Sequence, residues 1–348
     1  MISDYKHNFE IAFAKNPEKS RTNLKRIVLE YLDRRSVKRK KNSGIATAVL
    51  RVTNSKNSNG IYLYLRMFLT RLFPFDPLSG TPQSNFGIIV LVSAKDLQIL
   101  PYSLTSIIRN YPAEIETIWI IGPDSIREQI WQSVNAISKQ ITPKINCISD
   151  EEILEQSGLS IDYFDSSVAK MEFIKIASST FHPSDEILVL DCDTLYLKRR
   201  VWSNSNSVVL VLAQEYFVEH VNFHFNIFHL RSKSGMGFVT HHSYFLRNSI
   251  TDMVTKFGGL RNLALHIRGG ILRGFASGSF PSEWQMYGDW ILEMSSKEVK
   301  VVSFNNLGVP REIFPLLSSP NIDDIDRLLQ KIRSTSPDLG SLSLHDYK

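Results

Sequence analysis

Residues Asp185–Leu197 read DEILVLDCDTLYL: an apolar run, Ile187–Leu190, closed by two aspartates, Asp191 and Asp193, one residue apart. A short run with no polar position suits a strand covered on both faces, as in a parallel α/β sheet. In such sheets ligands bind beyond the carboxyl ends of the strands. Side chains two apart on an extended chain point the same way. Both carboxylates are therefore expected at that rim, with Cys192 between them turned into the core. Paired carboxylates there are a seat for a divalent cation, and the cation is a partner for a diphosphate. An Asx turn that only closes the strand is the plainer alternative.

The flanking sequence supports the sheet. Phe86 opens FGIIVLVSAKD, which reads as a first buried strand, and the following helix stops at Asn110 and Pro112. IETIWIIGP is a second strand, SIREQIWQSVNAISKQI a second helix and INCISD a third strand. This alternation predicts a mostly parallel sheet flanked by helices. No G-x-G-x-x-G follows the first strand, which removes the main support for dinucleotide binding. Val168–Phe181 reads as a helix with Met171, Ile174 and Ala177 toward the sheet. Lys170 and Lys175 on it are candidates for phosphate or base-edge contacts, with ordinary surface lysines as the alternative.

Beyond the aspartates, SVVLVLAQEYF and FHFNIFHL (Phe223–Leu230) read as strands. Phe238 and Val239 close another, with Thr240, His241 and His242 at its end and a helix after them. Histidines beside an acidic rim can complete a metal shell or bond a phosphate. In SFPSEWQMYGDWILEM, Ser282 and Gln285 fit a capping box, so a helix starts at Glu283. Glu283 is then expected outward at the rim as a general base, unless it only complements the helix dipole. Trp284 and Tyr287 are candidates to stack on a sugar. VKVVSFNNLGVPR reads as a last strand and loop, and NIDDIDRLLQKIRS as a C-terminal helix.

The 348 residues, 43% hydrophobic, allow one large domain with additions, or two domains. Two cysteines, Cys147 and Cys192, exclude a disulfide framework and a zinc cluster. The net charge of +5 is uneven: residues 1–80 hold 16 Lys and Arg against 6 Asp and Glu, so they carry +10 and the remainder −5. Residues 1–84 read as a basic helical extension and linker, 85–315 as the main domain, and 316–348 as a C-terminal helix and tail. Within the extension, the basic run Lys38–Lys41 precedes the aromatic segment Ile61–Phe75, a pairing that suits docking on an anionic membrane. Nucleic acid would satisfy the same charge, but no nucleic-acid partner is expected. Arg66 and Arg71 leave Ile61–Phe75 too short and too charged to span a bilayer. The opening MISDYKHNFEIAFAK lacks the layout of a signal peptide. A cytoplasmic location is expected, with peripheral contact at the inner face of the membrane.

On FGIIVLVSAKD, IETIWIIG, ILVLDCDTLYL, FHFNIFHL, GFVTHHSYF and SEWQMYGDW, the chain resembles the GT-A class of nucleotide-sugar glycosyltransferases. The last two segments resemble a little-characterised bacterial subgroup linked with surface polysaccharides. The resemblance runs from about Phe86 to Arg311 and leaves residues 1–84 unmatched. It implies a Rossmann-like GT-A sheet and a hexosyltransferase that moves sugar from a nucleotide diphosphate to a hydroxyl of a glycan or glycolipid. It implies Asp193 as ligand to Mn²⁺ or Mg²⁺, and Asp191 on the same ion or on the ribose. Ser93, Ala94 and Asp96 would lie beside the nucleotide. Lys170 or Lys175 would offset diphosphate charge, and His241 or His242 would add to the metal or diphosphate shell. Glu283, with Asp191 the other catalytic candidate, would be the base of an inverting enzyme. Two rivals are a haloacid-dehalogenase-like phosphatase with Asp191 as nucleophile, and a non-catalytic adaptor that keeps the fold.

Overall fold

The computed structural model describes residues 78, 85–138, 144–213, 217–228, 237–273, 279–303, 306–314, 321–335 and 339–345. The expected N-terminal extension and its membrane segment lie outside the described residues.

The chain runs β1 (Phe86–Leu91), α1 (Leu100–Asn110), β2 (Ile115–Gly122), α2 (Arg127–Ser138), β3 (Lys144–Ser149), α3 (Asp150–Gln156), α4 (Ser167–Phe181) and β4 (Glu186–Asp191). It continues through β5 (Thr194–Tyr196), β6 (Ser207–Leu212), α5 (Val218–Phe228), β7 (His242–Leu246), α6 (Arg247–Lys256), α7 (Leu260–Arg273) and α8 (Glu283–Met294). It ends with β8 (Glu298–Ser303), β9 (Asn306–Pro310), α9 (Ile322–Thr335) and β10 (Ser341–His345). The main sheet has the order β3-β2-β1-β4-β7, parallel except for β7, which runs antiparallel to β4. The expected α/β class, a mostly parallel sheet flanked by helices, is observed. Ile88–Val90 and Ile187–Leu190 are buried on both faces, which is why these strands read as unbroken apolar runs.

Two smaller sheets complete the fold. β6 pairs in parallel with β8, and β10 lies between β5 and β9. β10 was not expected in residues 316–348. Its strand packs with α9 over a second core that includes Leu195, Val309, Leu329, Leu342 and Leu344. The expected loop at Asn306–Pro310 is likewise a strand, held by β10.

Three expectations change. FHFNIFHL is not a strand: through Phe228 it belongs to α5. Its alternating look is local, whereas the buried set His220, Phe223, His224 and Phe228 repeats at helical spacing. Phe238 and Val239 do not close a strand; the strand begins at His242. The antiparallel direction of β7 nevertheless sets its first residues beside the end of β4, because Leu190 faces His242. Helices α3 and α7 were not expected. α3 carries a complete capping box, Ser149 with Glu152, a signal present in the sequence. Among the described residues, no helix is long and apolar enough to cross a membrane.

Candidate active site

A cleft of about 480 Å³ opens at the carboxyl ends of the parallel strands. Its walls include Leu91–Ser93 after β1, Ile121–Pro123 after β2, Asp150 after β3, Asp191–Asp193 after β4, and the first turns of α4. The size is typical of a small-molecule site, and the position is the one the parallel sheet predicts. Gly122 permits the close wall: a Cβ there would lie 2.7 Å from the Val92 carbonyl.

Asp191, Asp193 and His241 converge at one end. One ligand atom from each lies within 4.8 Å of the others. Asp191 Oδ1 pairs with Lys175 Nζ at 2.7 Å, and Oδ2 meets His241 Nδ1 at 3.1 Å. Burial alone would raise the Asp191 carboxyl; the Lys175 ammonium and His241 outweigh it and hold the group well below the usual carboxylate range. Asp193 moves the other way, to about 6, pushed up by burial and then by the Asp191 charge. His241 loses basicity to burial but gains more from Asp191, so its net shift is upward.

The backbone fixes this cluster. Asp191 N donates to His241 O (2.9 Å), Cys192 N to Leu91 O (3.3 Å) and Leu344 N to Asp193 O (2.8 Å). His241 has φ 61°, the one non-glycine positive φ among the described residues. A left-handed histidine costs on the order of 1–3 kcal/mol and is retained where its surroundings over-determine it. That conformation belongs to the residue whose ring touches Asp191.

Behind Asp191 lies a buried charge cluster. Lys175 and Glu283 are each 1% exposed and form an ion pair, with the ammonium 4.4 Å from the Trp284 ring centroid. Glu172 accepts from Glu283 N at 2.7 Å and so caps the start of α8. Burial raises the Glu172 carboxyl to about 8, against the pull of Lys175.

These positions revise several expectations. Glu283 starts α8 as expected, but it faces Lys175 in the interior and does not line the cleft. The capping box is not formed: Ser282 makes no side-chain cap, and Gln285 binds Phe238 N (3.2 Å) and Asp289 (2.9 Å) instead. Trp284 and Tyr287 are buried, and the Tyr287 hydroxyl accepts from Leu246 N, so neither stacks on a sugar. Lys175 reaches Asp191 from behind instead of lining the cleft. The strand boundary divides the histidines: His241 precedes β7 with a left-handed backbone and His242 opens it. His242 turns into the core, at ring distances of 5.0 Å from Tyr196 and 5.8 Å from Trp202, and burial lowers its pKa to about 3. Met171 is 39% exposed and lines the cleft; Ile174 is buried but also borders the cleft, and Ala177 is buried away from it. Cys192 is buried, as expected.

The remaining candidates lie nearby. Ser93 Oγ donates to Asp96 Oδ2 at 2.5 Å, and both residues line the cleft. Ala94 is exposed in the adjoining short turn and does not line it. Lys170 lines the cleft and pairs with Asp150 at 2.6 Å. Sequence reasoning missed Asp150 and Arg311. The Arg311 guanidinium pairs with Asp96 and donates to the Lys95 carbonyl at 2.7 Å. Its only sequence signal was a cation just after a strand.

The fold and site thus define an α/β protein with a cleft at the strand ends and, at one end of it, an Asp191–Asp193–His241 group that could hold a metal ion. No protein-family model matches the sequence, and no curated protein does. Among solved structures, the chain is similar to the glycosyltransferase GlyE of Streptococcus pneumoniae TIGR4, at 9% identity and TM-score 0.36, over 63% of this chain and 45% of that one. It is similar to the bifunctional glycosyltransferase WbbM at 10% and 0.42, over 76% and 46%. It is also similar to the galactosyltransferase LgtC, solved with donor and acceptor sugar analogs, at 12% and 0.39, over 75% and 88%. The chain thus spans less than half the length of the first two. At these scores the likenesses carry no weight for activity.

Proposed function

We propose that the protein is a metal-dependent glycosyltransferase that moves a sugar from a nucleoside diphosphate to a hydroxyl acceptor, in the making of a bacterial surface glycan. The observation that carries this reading is the Asp191–Asp193–His241 cluster at the end of the cleft. Two carboxylate oxygens and an imidazole nitrogen suit a divalent ion, and the nitrogen favours Mn²⁺ over Mg²⁺. The donor set also fits on charge, because burial and then the Asp191 anion raise the Asp193 carboxyl, and a shared cation relieves the repulsion between the two.

In this reading Asp193 and His241 hold the ion, with Asp191 shared between it and Lys175. A bound divalent ion would supply charge stabilisation to the departing diphosphate. Ser93 and Asp96 lie on the wall assigned to the nucleoside, and Lys95 and Lys170, the latter paired with Asp150, are the lysines that line the cleft beside a phosphate. Glu283 is not assigned as base, since it is buried against Lys175. The phosphatase alternative has less support, because Thr194 follows Asp193 directly, one residue short of the D-x-D-G-T spacing that reading needs.

Calorimetry with UDP-, GDP- and CMP-sugars, with and without Mn²⁺, tests the reading. Binding of a diphosphate sugar that needs Mn²⁺ and is lost in Asp193→Asn supports it. No binding of any donor, or binding indifferent to both metal and Asp193→Asn, overturns it. The expected membrane contact of residues 1–80 is read separately, from vesicle binding after their deletion.

A further inference from the structure

Asp150 borders the cleft from β3, the edge strand of the main sheet, whereas the Asp191–Asp193–His241 group stands at the end of β4. The residue is 7% exposed. Its Oδ2 pairs with Lys170 Nζ at 2.6 Å, and its buried Oδ1 has no hydrogen-bond partner among the described residues. A buried carboxylate oxygen left without a donor is costly. Helix capping does not account for it, because Ser149 and Glu152 already cap α3. Burial raises the Asp150 carboxyl and the neighbouring Glu151 adds to the rise, against the Lys170 ammonium. The place therefore favours an incoming N–H over an incoming lone pair.

Apolar surface adjoins this charged pair. Val168 and Met171, on the first turns of α4 with Lys170, are 41% and 39% exposed, and both line the cleft. A ring with an apolar face and a polar edge matches that combination. The position also fits the proposed cation. Three strand intervals separate the end of β4 from the end of β3, at about 4.8 Å each or roughly 14 Å in all. That is of the order needed between a cation-held diphosphate and the far edge of its nucleobase.

We propose that Asp150 and Lys170 read the nucleobase of the donor and select a ring N–H beside a carbonyl, the lactam edge that uracil and guanine carry. Asp150 Oδ1 accepts from the ring N–H. Lys170 keeps its bond to Oδ2 and turns another of its three donors to the carbonyl oxygen. Cytosine and adenine present the reverse pattern there: a ring lone pair would face the carboxylate and an amino group the ammonium. The inference rests on the nucleotide-sugar reading and deepens it. It assigns Lys170 to the base and leaves Lys95 as the cleft lysine for phosphate.

The test is calorimetry of the full chain with UDP, GDP, CDP and ADP, each with Mn²⁺. UDP or GDP should bind roughly tenfold or more tighter than CDP and ADP, and the tighter of the two identifies the base. Methylation of that base at its ring N–H should cost the wild type a similar factor, an arm that needs no variant to fold. Asp150→Asn, with folding verified by a thermal melt, should bring the four affinities toward one another. Its Mn²⁺ affinity without nucleotide, read by electron paramagnetic resonance, should match that of the wild type. Equal binding of the four, a preference for CDP or ADP, tolerance of the methyl group, or full selectivity in Asp150→Asn overturns the proposal. In each of those cases Mn²⁺-dependent nucleotide binding persists and the proposed reaction stands. No binding of any of the four overturns both.

Discussion

Replacing Lys175 with methionine should be among the most damaging single changes in the interior. The substitution keeps most of the volume and removes only the charge. Lys175 is 1% exposed and pairs with Glu283, also 1% exposed, while touching Asp191 at 2.7 Å. Its loss leaves one fully buried carboxylate and one partly buried carboxylate without their shared cation, and removes an attractive charge from Glu172. Removing one partner of a buried pair costs about 3–5 kcal/mol. Asp191 adds less, since its side chain is 21% exposed and partly screened by solvent. At this chain size the loss corresponds to a fall in Tm on the order of 10 °C. The sign with pH follows. Without Lys175 the carboxylates' folded pKa values rise, so stability is recovered below their unfolded values and lost as pH climbs. The deficit should shrink at mildly acidic pH. Lys175→Met/Glu283→Gln should recover a large part of the loss, because the most buried orphan is neutralised. Differential scanning calorimetry of the two variants across pH measures all three effects. A single variant within about 2 °C of wild type near neutral pH would refute the buried-pair reasoning.

Glu172→Gln keeps an acceptor for Glu283 N while removing a titration. The folded pKa of Glu172 is raised from 4.5 to about 8, so its contribution is fully present below 4.5 and lost as pH rises through about 8. Melting curves should show the wild type losing stability across that window and the variant losing less; parallel curves would contradict it. His241→Asn tolerates the left-handed backbone but shortens the ligand, so Mn²⁺ affinity should fall at least tenfold with little change in Tm. A large loss of Tm would instead assign His241 a packing role. Gly288→Ala should lower stability by about 1–3 kcal/mol through overpacking, because its Cβ would stand 2.3 Å from Phe238; an unchanged urea midpoint would show that the Phe238 ring moves aside freely.

What was legible in the sequence was what burial on both faces writes into it. β1, β2 and β4 are apolar runs, and the D-x-D fell at the strand end that the pattern indicates. The charged residues of α4 were harder. Lys175 read as a phosphate contact or a surface lysine and Glu172 drew no reading, yet Glu172–Ser179 is buried throughout, so no polar face exists there for them to occupy. Two opposite charges, three residues apart in a helix otherwise rich in apolar and small residues, were the available signal. The histidine pair could not be divided before the strand boundary was known, because a shift of one residue exchanges core and cleft faces. Glu283 failed for a related reason: a first-turn position says which end of the helix a residue occupies, not which side faces water.

The site's geometry depends on contacts the local sequence does not contain. Strands β1 and β10 and the residue before β7, His241, come from widely separated parts of the chain, and each holds one residue of the Asp191–Asp193 turn by a backbone hydrogen bond. The first bond extends the parallel pairing of β1 with β4. The second places a left-handed His241 against Asp191, and the third fastens Asp193 to the last described strand. An Asx turn that merely ended β4 would need none of them. Holding two carboxylates together against their mutual repulsion, with strained backbone in the third member, costs free energy that the surrounding sheets must offset. A protein selected for stability alone would more readily replace Asp193 with a neutral residue. The proposed cation would relieve that repulsion, and three separate parts of the chain already fix the turn that would hold it.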